Sequence, residues 1–374
     1  MVEGFKNTVL GVIPEDWDIK TLGDIGEVRM CKRVFNYETK TTGTIPFYKI
    51  GTFGKEADAY ISEDLYNNYR QRFSYPNKGD ILISAAGTIG RTLIFDGKPS
   101  YFQDSNIVWI DNNESLIPNK LLYYVFQVVK YNTEGGTIQR LYNSILKNTK
   151  FICPPTLAEQ TAIATALSDA DALISSLEKL IAKKKAIKQG AMQELLKPKE
   201  GWETKTLGEV VNIRKGQLIT DSARIDGNIP VIAGGKTPAY FHCKANRYGK
   251  TITISGSGAS AGYVSFHSYP IFASDCSTIE ESKNYSIEYV FYFLQLMQEK
   301  IYKMQTGGAQ PHIHPKDINP IQIPIPNREE QIKVAKILSD MDSEILILEA
   351  KLEKQKQLKQ GMMQSLLTGK IRLV

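Results

Sequence analysis

Along two stretches of the chain, hydrophobic residues recur at steps of 4, 3, 4, 3, 4. In the first they are Ile163, Leu167, Ala170, Ile174, Leu177 and Ile181; in the second, Val334, Leu338, Met341, Ile345, Leu348 and Leu352. This alternation is the a/d seam of a coiled coil. It predicts one long helix within Thr156–Lys197 and a second in the same register, 171 residues later, across Arg328–Leu367. Prolines precede each helix (Pro154-Pro155; Pro324, Pro326) and a breaker follows each (Pro198; Gly369). About 40 residues at 1.5 Å each makes each helix roughly 60 Å long. Polar residues interrupt the seam at Lys184 and Lys188, and again at Gln355 and Lys359. Ile187 and Leu358 stand one residue off it, so the pairing face is expected to shift there. The candidate helix-pairing residues are Ile163, Leu167, Ile174, Leu177, Ile181, Val334, Leu338, Ile345, Leu348 and Leu352.

The repetition extends beyond the helices. "PEDWDIKTLGDI" (Pro14–Ile25) returns as "EGWETKTLGEV" (Glu200–Val210), aligning Trp17 with Trp202. "IPFYKIG" (Ile45–Gly51) has a looser echo in "IPVIAGG" (Ile229–Gly235). Asp80–Phe95 matches Thr251–Phe266 as strand, Gly-rich turn, strand; "QDSN" (Gln103–Asn106) matches "SDCS" (Ser274–Ser277); "EGGTIQRLY" (Glu134–Tyr142) matches "TGGAQPHIH" (Thr306–His314). Arg29–Thr44 and Asp58–Asn77 have no clear counterparts. Strands are expected at Ile81–Ser84, Thr92–Phe95, Ile107–Ile110, Thr251–Ser255, Tyr263–Phe266 and Ile321–Ile325, with amphipathic helices at Leu121–Tyr131 and Ile287–Met304. The expected fold class is mixed α/β, built of two copies of one module: globular unit 1–155, helix 156–200, globular unit 201–326, helix 327–374. Short connections at both ends of the second unit favour antiparallel helices, with the units at opposite ends related by a pseudo-two-fold axis.

With 42% apolar and 10% aromatic residues the chain can bury real cores. No run of 18 apolar residues suggests a membrane span, and the first residues do not resemble a signal peptide. Cys31, Cys153, Cys243 and Cys276 are scattered, as expected of reduced, buried thiols in the cytoplasm. A net charge of +6 permits a polyanionic partner without demanding one.

Catalytic motifs are missing. The glycines of Ser255–Gly262 are followed by a strand-like "GYVSF", whereas a nucleotide or S-adenosylmethionine loop opens a helix. Cys153-Pro154-Pro155-Thr156 lacks the polar residue of an amino-methyltransferase motif, and no P-loop lysine motif occurs. Asp275 with Glu281 and Lys283 reads as charged turns, and His312 and His314 have no clustered acidic or cysteine partners for a metal. What remains is a set of polar, Gly-rich loops whose residue types read base edges and hold phosphates. In the first unit the candidate DNA-binding residues are Thr52, Lys55, Ser84, Thr88, Arg91, Gln103, Ser105, Thr137, Gln139 and Arg140. In the second they are Lys236, Thr237, Tyr240, Ser255, Ser257, Ser260, Ser274, Gln310 and His312.

Three motifs together resemble the specificity subunits of type I restriction–modification systems. They are Pro14-x-x-Trp17 with Lys20-x-Leu22-Gly23, the "PP-EQ-IA-L" pattern of Pro154–Leu167, and the terminal "QGMMQSLLTGKIRL" (Gln360–Leu373). The resemblance covers essentially the whole chain. It implies a non-catalytic subunit whose two target recognition domains each read half of an interrupted double-stranded DNA site. It implies that the paired helices set the gap and dock two modification (methyltransferase) subunits, which restriction subunits join. S-adenosylmethionine, ATP and Mg²⁺ would then be bound by those partners, and none by this chain. An enzyme with fused methyltransferase or nuclease activity, or a coiled-coil scaffold that never binds DNA, are the competing readings.

Overall fold

The computed structural model describes residues 4–131, 140–223 and 225–373. They form two compact units: Met1–Ser176 with Leu352–Val374, and Leu177–Lys351. Each unit therefore holds one globular domain and a part of each long helix.

The two domains share three sheets, and the first adds a hairpin of Phe5–Thr8 and Gly11–Pro14. A four-stranded antiparallel sheet runs Gly26–Met30, Ile107–Asn112, Ile81–Ser84, Thr92–Ile94 in the first domain. Its counterpart runs Ile213–Lys215, Cys276–Glu280, Thr251–Ser255, Val264–His267. The loosely echoed Ile45–Tyr48 and Ile229–Ile232 are both middle strands of a three-stranded mixed sheet, antiparallel to one neighbour and parallel to the other. A two-stranded ribbon joins the start of each domain to its end, Asp18–Thr21 to Lys150–Cys153 and Glu203–Thr206 to Gln322–Ile325. The repeated "KTLG-D/E" motif has a local cause. The Asp24 carboxylate accepts from Thr21 N–H at 2.7 Å and Glu209 from Thr206 N–H at 2.6 Å, so each starts a helical turn with a capping box.

The expected strands are present with their ends shifted by up to two residues. The first late helix spans Asn119–Val128. The second does not run unbroken through Ile287–Met304. It divides into Ile287–Leu296 and Gln298–Tyr302, because Met297 (φ −86°, ψ 4°) leaves the helical region. In the stretch without a counterpart, the first domain adds a helix at Glu63–Arg72, started by Ser62 Oγ accepting from Leu65 N–H at 3.3 Å.

The two long helices span Leu157–Leu195 and Arg328–Leu366, 39 residues each. Their direction can be read inside either unit. In the first, Glu159 meets Arg372 and Asp171 meets Lys359; in the second, Lys184 meets Glu344 and Lys188 meets Asp342. In both cases a step forward on the central helix is a step back on the C-terminal one, so the helices pair antiparallel. Of the candidate pairing residues, Ile163, Leu167, Leu177, Ile181, Val334, Leu338 and Ile345 are buried, and Ile174, Leu348 and Leu352 half-buried. Ile163 and Leu167 belong to the core of the first domain, packed with Trp17, Leu121 and Val125. Val334 and Leu338 do the same in the second, with Leu207, Tyr289 and Phe293. The helix ends are thus walls of the domain cores as well as a seam.

The expected shift of the pairing face does not occur. Ile187 and Leu358 point to solvent, and the lysines stay in phase on the seam. Lys188 Nζ lies 2.5 Å from Asp342 Oδ1 and 5.2 Å from the ring of Tyr292, whose hydroxyl donates to Asp342 Oδ2 at 2.9 Å. Lys359 Nζ lies 2.6 Å from Asp171 Oδ1 and 5.4 Å from the ring of Tyr124, whose hydroxyl donates to Asp171 Oδ2 at 2.8 Å. The same Lys–Asp–Tyr group is built once in each unit. A lysine keeps an a/d place when its stem packs in the seam and its charge finds a carboxylate across it.

Candidate nucleic-acid interface

The repeated Glu-Gln of each helix start is a clamp within its own unit. Gln160 Nε2 donates to the carbonyls of Pro154 (2.8 Å) and Leu116 (3.1 Å). Gln331 Nε2 donates to Pro326 O at 2.9 Å while its Oε1 accepts from Ser286 N–H at 2.9 Å. Each glutamine therefore fixes the entry to a long helix against the entry to the domain's late helix. The segment after the C-terminal helix seals the first unit. Arg372 donates to Asp16 (3.0 and 3.1 Å) and to Glu159, with its guanidinium 5.6 Å above the Trp17 ring. These motifs are framework.

In the first domain the loops surround an open cavity of about 340 Å³, lined among others by Arg33, Lys49, Gln103, Asp104, Ser105 and Arg140. A cavity of about 180 Å³ in the second domain is lined by Lys215, Ser274, Asp275, His312 and His314. They occupy equivalent places, since "QDSN" and "SDCS" supply both. Arg140 pairs as a lone bridge with Ala86, and His312 with Ser257, at matching positions of the two modules. The structure so brings Gln103, Ser105 and Arg140 together, and likewise Ser274 and His312. Ser105 adopts φ 60°, a left-handed conformation uncommon for serine, in the loop that faces the cavity.

Lys55, Thr88, Ser105, Arg140, Lys236, Thr237 and Gln310 are exposed as expected. Thr137 and Gln139 lie outside the described residues. For others the expectation is revised. Ser84, Ser255 and Ser274 are buried, and their hydroxyls are spent internally. Ser84 Oγ donates to Thr88 O at 2.6 Å, Ser255 Oγ donates to Gly234 O at 2.7 Å, and Ser274 Oγ accepts from Ile219 N–H at 3.2 Å. Half-buried residues are also engaged. Thr52 closes its own turn onto Lys49, Gln103 Oε1 accepts from Ile50 N–H at 2.9 Å, and Tyr240 donates to Ile219 O at 2.6 Å. Arg91 donates to Phe53 O and covers its ring, and Ser257 Oγ donates to the Asp275 carboxylate. Ser260 and His312 are half-buried. Many of these groups hold the loops in place. Ser274 and Tyr240 anchor the segment that carries Leu218, which is 79% exposed. In the first domain the loop at the same place in the strand order, unrelated in sequence, carries Tyr37, 83% exposed and stacked on Phe35 at 5.6 Å. Sequence reasoning passed over Arg33, placed Asp104 in the loop Gln103–Ser105 without giving it a role, and read Asp275 as part of a charged turn; the three side chains line the two cavities.

Burial pushes the Cys31 and Cys276 thiols up to about 12 and that of Cys153 to about 11, so they stay protonated. Cys243, expected to be buried, is exposed. Among the described residues no group of three or more His, Cys, Asp or Glu is placed to hold a metal ion, and no helix is long and apolar enough to cross a membrane.

The family profile described as "Type I restriction modification DNA specificity domain" matches residues 14–189 and again 199–360. The chain belongs to that family. A putative type I restriction enzyme specificity subunit of Haemophilus influenzae is 60% identical over 157 residues, 42% of this chain and 40% of that protein. The putative MjaX specificity subunit of Methanocaldococcus jannaschii is 29% identical across 99% of this chain and 97% of its own length. The crystal structure of a type I restriction–modification S subunit from M. genitalium has the same fold, with a TM-score of 0.67 and 18% identity over 94% of this chain and 96% of that one. The specificity subunit's two matched segments fall on the two modules, in keeping with the framework motifs that repeat between them.

Proposed function

We propose that this chain is the DNA-reading subunit of a type I complex, each globular domain recognising one half of an interrupted duplex site. The paired helices set the gap and dock two modification subunits; restriction subunits join that core. S-adenosylmethionine, ATP and Mg²⁺ are held by those partners, which supply the chemistry, while this chain selects the site. One observation carries the reading: the same three-sheet frame occurs twice, while the loops around its two equivalent cavities differ in residues and length. A frame kept constant beneath divergent loops suits two readers of different half-sites.

The test is methylation mapping in a host carrying the chain with its modification partner. The expected result is one two-part motif with a fixed gap. Arg140→Ala changes one half of it, and Gln310→Ala with His312→Ala changes only the other, at about 1–3 kcal/mol per lost base contact. A single continuous motif, or both halves altered by Arg140→Ala, overturns the proposal. A scaffold without DNA contact predicts no salt-dependent DNA shift from the assembled complex.

A further inference from the structure

Arg33 lies in the stretch Arg29–Thr44, which has no sequence counterpart in the second module. Its Nε donates to Asp104 Oδ2 at 2.8 Å. The exposures are opposed: the Asp104 side chain is 15% exposed and that of Arg33 61%. The carboxylate is thus seated in the loop and the guanidinium stands out from it. Among the described residues Arg33 makes no other hydrogen bond or ion pair, so the outer Nη edge of its fork is unused. Both residues line the first-domain cavity with Lys49 and Arg140. In the second domain the equivalent Asp275 instead accepts from Ser257.

The pairing has a chemical consequence. An arginine tied to a carboxylate contributes little net charge, so its attraction to the phosphate backbone is blunted. What survives is direction: a planar fork held by its Nε side, with two parallel N–H donors presented outward. That donor pair matches the O6 and N7 acceptors of guanine in the major groove. We propose that Arg33 reads a guanine in the half-site of the first domain, with Asp104 as its positioning residue. This rests on the DNA-reading function above.

The complete complex of this chain with its modification subunits is tested on its mapped target. Each guanine is replaced in turn by 7-deazaguanine, which lacks the N7 acceptor. In the wild-type complex one guanine of one half-site is expected to lose about tenfold in affinity or more when so replaced. In Arg33→Ala that sensitivity disappears, the motif relaxes at that position, and the other half-site is unchanged. Asp104→Asn weakens the same discrimination, and adds nothing once Arg33 is alanine, an outcome that general loosening of the loop does not produce. The proposal is overturned if the wild-type complex has no 7-deaza-sensitive guanine that Arg33→Ala silences. It is overturned equally if Arg33→Ala weakens all sequences alike with a shallower salt dependence, the signature of a phosphate contact. A wild-type complex that selects no two-part target would refute the DNA-reading function itself, and that result is distinct from either.

Discussion

Replacing Asp171 with leucine isolates the energetics of the charged groups in the helix seam. The substitution leaves Lys359 in place, its side chain 17% exposed, with the ring of Tyr124 at 5.4 Å as the remaining partner of its ammonium among the described residues. Removing one member of a fully buried ion pair costs about 3–5 kcal/mol. Asp171 is 37% exposed, so water already shares that carboxylate and the cost falls below that of a fully buried pair. The expected loss is therefore about 2 kcal/mol. The double variant Asp171→Leu, Lys359→Met, made with Tyr124→Phe so that the hydroxyl that donates to Asp171 is not left buried without an acceptor, removes both charges and fills the seam with apolar groups of similar length. It should recover to within about 1 kcal/mol of the wild type. Trp17 and Trp109 are buried in the first unit, so their fluorescence in a Trp202→Phe background reports urea unfolding of that unit. If the double variant is no more stable than Asp171→Leu alone, the lysine is not held in the seam by that carboxylate and the reasoning is wrong.

Three further outcomes are expected. His267 is buried, with Nε2 2.9 Å from Thr253 Oγ1, and burial lowers its pKa from 6.5 to about 4. Between those values the unfolded chain binds a proton that the folded one refuses, so stability falls as pH drops through that window, by at most about 1.4 kcal/mol per pH unit; His267→Gln should flatten this slope in chemical denaturation across pH 4–6.5. Gly190 and Gly361 lie within the long helices, about a turn and a half from their C-terminal ends, with open space where a Cβ would be, so each changed to alanine should stabilise the isolated chain by up to about 1 kcal/mol in the same assay, and a loss would show a contact within the chain that depends on glycine. Seven residues inserted after Ile181, matched by seven after Leu348, keep the seam in phase and lengthen the pair by about 10 Å. That equals roughly three base pairs at 3.4 Å each, so methylation mapping should find a longer gap between unchanged half-sites.

The helices were legible because a seam stepping 4 and 3 in one register, seen twice, has few other meanings. The hairpins Ile81–Ile94 and Thr251–His267 were legible for a similar reason, as apolar strands around glycines. The break at Met297 was not, since nothing in "LQLMQEK" is a helix breaker. The apparent seam shift came from scoring lysine as polar, whereas Lys188 and Lys359 use their stems as apolar groups. Comparing the two modules also steered attention to shared polar positions. Those include Ser84, Ser255 and Ser274, which proved to brace the turns. Arg33 escaped because it belongs to only one module; Asp104 lay in a loop singled out for recognition but drew no role of its own, because a lone acid in a loop resembles a solvated turn until its partner is seen.

The first unit is discontinuous, and this orders its assembly during translation. The second unit, Leu177–Lys351, is one uninterrupted segment and is available to fold as soon as it has left the ribosome. The first unit lacks its closing wall until residues 352–373 follow. Leu366 and Leu367 complete its core, and Arg372 bridges Asp16 to Glu159. The domain made first is therefore finished after the domain made second. A product cut short near residue 351 would carry one completed domain beside a first domain whose core, from Trp17 to Leu167, lacks Leu366 and Leu367. Such a chain would expose the apolar surface that Leu366 and Leu367 cover, the kind of incompletely packed state that is open to aggregation and proteolysis.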